Sequence, residues 1–186
     1  MSYKKLQLVG TNVLVAPSVS RSRGMIAIPD TVTDGATACI VLKAGNKANP
    51  LIKEGDTVMV MNGIGARGRN FLPNIGKNFL VSDTEVYAVF RKGAIIPLGR
   101  TVLIKRDIQS INHGSIFIPE KLRAQSLTGE VIRLGLTREP FRSAFDLRPG
   151  MKIMLEEWKP EMVEVQLEDG SFGLIVNEKD ILYYEQ

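Results

Sequence analysis

The chain says one thing twice. "GTNVLVAP" at Gly10 is answered by "GRTVLIKR" at Gly99, and "GMIAIPDTV" at Gly24 by "GSIFIPEKL" at Gly114. "ACIVLKAG", ending at Gly45, is answered by "GEVIRLG", ending at Gly135; "IKEGDTVMVM" by "LRPGMKIMLE"; and "FLVSDTEVYAVF" by "GLIVNEKDILYYE". The landmarks keep their order, at a spacing of about 90 residues that drifts by only about five, so the chain is a tandem duplication. Any fold for it must be built from two like units, 1–92 and 93–186, neither much longer than a small domain.

Each copy reads as β. "NVLVA", "TACIVL", "TVMVM" and "EVYAVF" in the first, and "TVLIK", "TGEVIRL", "KIMLE", "MVEVQLE" and "ILYY" in the second, are short β-branched or alternating runs bounded by Gly, Asn, Asp and Pro. No dozen-residue window sustains the i, i+3, i+4, i+7 apolar pattern of a helix. Short strands with frequent turns predict an all-β chain of two small barrels. The join, "FRKGAIIPLG", is too short for a flexible linker, so the barrels are expected side by side.

Composition removes several functions. No apolar run is long enough for a membrane-spanning helix, and "MSYKKLQLVG" lacks the apolar core of a secretion signal, so a cytoplasmic protein is expected. Cys39 is the only cysteine, set in "TACIVL" as a buried strand residue, and His113 is the only histidine, so no zinc set of N and S ligands can be assembled. Residues 1–92 carry 12 Lys/Arg against 6 Asp/Glu, and residues 93–186 carry 12 against 14. That asymmetry is too mild, with too few aromatics, to indicate nucleic acid. "GIGARG" at Gly63 has dinucleotide-fingerprint spacing, but Pro73 and Gly76 forbid the helix that should follow, and a glycine-rich turn is expected. Glu156, Glu157, Glu161 and Glu164 are expected to form a solvated face rather than an acid/base site. No cofactor and no enzymatic activity are expected.

What remains is a greasy phrase inside polar surroundings, present in both copies. Residues 17–35 are rich in Ser, Arg, Thr and Asp around "MIAI"; residues 106–128 surround "SIFI" in the same way. Segments this long without regular structure are usually functional or disordered. The residues alone leave two accounts open: ordinary buried strands, or mobile loops carrying an apolar hook for a partner's groove.

At this point the second copy resembles the GroES-type co-chaperonins, the lids of the chaperonin folding chamber. Their glycine–apolar–Pro–acid mobile-loop phrase, "GEVVAVG"-like strand, "VGDKV" turn and "DDIL" ending read here as "HGSIFIPEK", "TGEVIRLG", "RPGMKIML" and "NEKDILYY". The first copy gives "RGMIAIPDT", "ACIVLKAG", "EGDTVMVM" and "SDTEVYAVF". The resemblance implies a ring of β-barrels whose loops enter the apical domains of a GroEL-type chaperonin, with ATP bound by that partner. Carried over by position, the hooks are Ile26, Ala27 and Ile28, and Ile116, Phe117 and Ile118. It also implies pairing of residues 86–90 with 95–98 inside the chain, of residues 5–9 with 181–184 between chains, and a ring of three or four chains. The chain departs from the family pattern in Met25 and Ser115, where paired glycines are usual, and in a roof shortened to "NKANP" in the first copy. The rival from another class is a virion or scaffold component that kept the fold and lost the partner.

Overall fold

The computed structural model describes residues 6–18, 36–61, 78–107, 112–113, 116–117, 126–136, 146–159 and 162–185. The first copy forms a six-stranded antiparallel sheet from β1 (Asn12–Pro17), β2 (Ala36–Ala44), β3 (Thr57–Met61), β4 (Phe79–Ser82), β5 (Val86–Arg91) and β6 (Ala94–Pro97), in the order β4-β1-β2-β3-β5-β6. The second uses β7 (Thr101–Arg106), β10 (Thr128–Leu134), β11 (Lys152–Leu155), β12 (Val163–Gln166), β13 (Phe172–Asn177) and β14 (Ile181–Glu185), in the order β12-β13-β7-β10-β11-β14. Remove β6 from one and β12 from the other, and the two orders coincide. The expected all-β, two-barrel fold is what the chain adopts.

The repetition extends to irregularities. In both sheets the first strand pairs with the second through a bulge at the same place: Leu14 and Val15 face Lys43 and Val41, while Leu103 and Ile104 face Arg133 and Val131. A second register shift falls after Met59 in one copy and after Met154 in the other. Such bulges sharpen the local twist that helps a short sheet close. Two glycines are required for a shared reason. A Cβ on Gly45 would press on the Gly10 carbonyl, and one on Gly135 on the Gly99 carbonyl, so β2 and β10 end against the turn that opens their own copy.

Each sheet wraps its own core. Val13, Val15, Cys39, Val41, Val58, Val60, Val81 and Val89 meet inside the first; Val102, Ile104, Val131, Ile153, Leu155, Leu174 and Val176 meet inside the second. Alternation along the strands selects these residues, with every second side chain pointing inward. The residues between them should face water, and several do not. Met59, Ala88, Phe90 and Ile95 pack against Leu103, Val163, Val165 and Ile175 in a third apolar cluster, between the barrels. Burial of large side chains is worth about 1.5–3 kcal/mol each, so the barrels are joined by an apolar interface.

The connection itself is a two-residue hairpin. Lys92 and Gly93 both take positive φ, 50° and 85°, the conformation that matches strand twist. It sets Phe90 opposite Ile95, Val89 opposite Ile96 and Ala88 opposite Pro97, the pairing that the family resemblance implied. The outer edge of β6 is blunted: Pro97 has no N–H, its carbonyl accepts from Leu136, and the Ile95 carbonyl accepts from Arg133 at 3.0 Å. In the first copy the short roof is a run of turns packed downward, with Ile52 buried and the Asn49 N–H held by the Asp83 carboxylate.

Candidate functional site

The second polar segment begins where β7 ends. Arg106 is the last strand residue, and the Asp107 N–H donates to the Thr128 carbonyl, closing the segment's two ends on each other. Lys152 grips the Asp107 carboxylate at 2.6 Å. Burial pushes that carboxyl up, but the Lys152 and Thr128 hydrogen bonds and the Lys152 charge outweigh it and hold it below its ordinary value. Ser126 Oγ accepts from the Thr128 N–H, finishing the base.

Further along the chain two very short strands pair antiparallel, β8 (Asn112–His113) and β9 (Ile116–Phe117). Asn112 stands opposite Phe117 and His113 opposite Ile116, with Gly114 and Ser115 between them. Two of the expected hook residues, Ile116 and Phe117, therefore sit on a separate two-stranded ribbon rather than in either six-stranded sheet. His113, the only histidine of the sequence, lies in that ribbon as well. Ile118 and the whole first hook, Ile26, Ala27 and Ile28, lie outside the described residues, as does the "GIGARG" turn.

One cluster near this base escaped the sequence reading. The Arg106 guanidinium is buried, pairs with Glu164 at 3.0 Å and lies 5.1 Å from the centre of the Trp158 ring. Glu164 thus belongs to an ion pair rather than to a solvated acidic face, whereas Glu156 and Glu157 are exposed. The signal was available. Arg106 continues the inward alternation of Val102 and Ile104, and a charge at an inward position requires a partner. Nearby, Lys159 reaches Asp180 at 2.8 Å. Burial pushes the Cys39 thiol up to about 12, which leaves it a packing residue at neutral pH. Among the described residues no group of three His, Cys, Asp or Glu is placed to hold a metal, and no helix is long and apolar enough to cross a membrane.

Two antiparallel sheets in tandem, each wrapping its own core, with a separate two-stranded ribbon in the second copy, define a GroES-like barrel protein. Residues 94–184 match the family model of the chaperonin 10 kDa subunit, and the second module belongs to that family. The first repeats its strand order, bulges and glycine contacts. No curated protein matches the chain.

Proposed function

We propose that the chain is a co-chaperonin with two recognition modules, which caps a GroEL-type chaperonin and assists ATP-dependent protein folding without an active site of its own. The observation that carries this reading is the placement of Ile116 and Phe117 on a ribbon outside both sheets, in a module of the chaperonin 10 kDa family. Ile118 continues the second hook, and Ile26, Ala27 and Ile28 form the first. In this reading ATP belongs to the chaperonin.

Magnitudes favour several weak hooks over one strong one. Burying each large side chain is worth about 1.5–3 kcal/mol, and ordering each residue of a segment costs about 1–2 kcal/mol. A single hook is feeble; several on one ring gain on the order of 10²–10⁴ by avidity. The ring is built head to tail from three or four chains. What supports this is the edge position of β14, which has no strand beyond it among the described residues and where Leu182 and Tyr183 are 59% and 45% exposed. The corresponding strand of the first copy, β5, has that edge filled by β6.

The test is binding of the purified protein to a GroEL-type chaperonin with and without ATP, followed by anisotropy. Nucleotide-dependent binding that weakens at least tenfold in Ile116→Asp supports the reading. A folded protein that ignores the chaperonin under all nucleotide conditions returns it to the scaffold class.

A further inference from the structure

Arg106 occupies a position where an apolar residue would serve the barrel at least as well. It follows Val102 and Ile104 on the inward face of β7, and its side chain is only 6% exposed. There, among the described residues, it finds the Glu164 carboxylate and the Trp158 ring, while its buried Nη2 has no hydrogen-bond partner. A buried guanidinium with an unused donor is poor evidence of stabilisation, because well-packed apolar substitutes are often neutral or better. Its neighbour points to a different use. Asp107 is where the two ends of the ribbon-bearing segment are tied, through the Thr128 carbonyl and the Lys152 ammonium. In the first copy the equivalent place, seven residues after Gly10 as Arg106 is after Gly99, holds Pro17. The tie recurs there as Ser18 N–H to the Ala38 carbonyl, and no ion pair supports it among the described residues.

We propose that Arg106 is a positioning residue for the second recognition segment. Held beneath Trp158 and against Glu164, it stiffens the mouth of the second barrel so that the segment starting at Asp107 leaves it in a set direction. The second hook is thereby presented pre-oriented, whereas the first copy has Pro17 in place of this anchor, which makes the two modules unequal partners for the same kind of groove. The choice of a chaperonin as the partner rests on the reading above; the stiffening itself does not.

Arg106→Met removes the charge and keeps the bulk; Trp158→Leu removes the ring and leaves the ion pair. In hydrogen exchange on the full-length protein, either should accelerate the Asp107 and Thr128 amides about tenfold while Leu174 and Val176 in β13 stay protected. Trp158 is the only tryptophan, so its emission reports directly on this mouth. A GroEL-type chaperonin with ATP should shift that emission in the wild type and not in Arg106→Met, whose affinity falls about tenfold through lost pre-organisation. Arg106→Lys should restore part of both. Unchanged exchange at Asp107, uniform acceleration that includes β13, or unchanged affinity in Arg106→Met would each overturn the proposal. If the wild type itself ignores the chaperonin, the co-chaperonin reading falls, and exchange at Asp107 alone decides the positioning role.

Discussion

The Asn46 N–H donates to the Leu8 carbonyl at 3.4 Å. Its counterpart in the second copy is the Leu136 N–H, which donates to the Pro97 carbonyl at 3.0 Å. The N-terminal residues 6–9 are therefore docked on the first barrel as β6 is docked on the second. The difference is that β6 also has β5 at its other edge. A strand partner from the next chain would complete the N-terminal segment, and β14 has the matching edge position.

The internal hairpin gives this junction a register. Met59 pairs with Ala88, and Met154 with Tyr183, so Tyr183 stands where Ala88 does. Ala88 faces Pro97, whose counterpart is Leu8. Tyr183→Cys combined with Leu8→Cys should therefore cross-link neighbouring chains on mild oxidation, since Pro97 marks the close, non-hydrogen-bonded kind of pair. Gels would show a ladder of covalent oligomers. Equal yield from Tyr183→Cys with Gln7→Cys, one residue out of register, would contradict the junction.

The hooks should be unequal. Ile116→Asp places an unpaired charge where the partner's groove is apolar, and binding should fall by about 2 kcal/mol or more. Ile26→Asp should cost less, because the first hook has Ala27 where the second has Phe117. Anisotropy measures the affinities, and circular dichroism checks that both variants keep the thermal midpoint of the parent. A collapse of that midpoint in Ile116→Asp would make the ribbon part of the fold rather than a recognition element.

Much of this architecture was legible in the residues, for identifiable reasons. The repeat could be read because glycines at 45 and 135, 55 and 150, and 10 and 99 serve the same turns and close approaches twice. The β5–β6 pairing was reached through the family resemblance, and the two-residue Lys92–Gly93 turn is what realises it. The joint between the barrels could not be read. Leu103 and Ile175 sit at outward positions of their strands, where alternation predicts water, and only packing against the first barrel buries them. Arg106 and Trp158 stayed hidden because their contact spans some fifty residues that carry no common pattern.

One ion pair should make the first barrel sensitive to acid. Asp56 accepts from the Lys53 N–H and from Arg91 Nε and Nη2, and Arg91 also donates to the Leu51 carbonyl, fastening the 51–56 turn to β5. Burial pushes the Asp56 carboxyl up, but the Arg91 and Lys53 hydrogen bonds and the Arg91 charge prevail, so it titrates below its ordinary value. A depressed carboxylate contributes its full stability above the unfolded value of about 4 and loses it as pH falls through the lower folded value. Urea midpoints should drop below pH 4 in the wild type. Asp56→Asn should start lower, by about 1–3 kcal/mol, and show a shallower acid loss. An identical acid slope in the two proteins would exclude the pair as its source.

The close glycine contacts predict matched losses in the two barrels. Gly135→Ala and Gly45→Ala each press a methyl onto a backbone carbonyl that has nowhere to yield. Each should cost about 1–3 kcal/mol, the usual penalty of overpacking. Denaturant midpoints measure this, and substitution without loss at either site would show that the turn at Gly10 or Gly99 can move aside.

The central claim is that two-module chains close into a ring that caps a chaperonin. Native mass spectrometry of the protein, alone and with a GroEL-type chaperonin and ATP, tests it most directly. The account predicts a closed ring of three or four chains by itself, and one intact ring on the chaperonin when ATP is present. A stable monomer at micromolar concentration, with no chaperonin complex under any nucleotide, would contradict it.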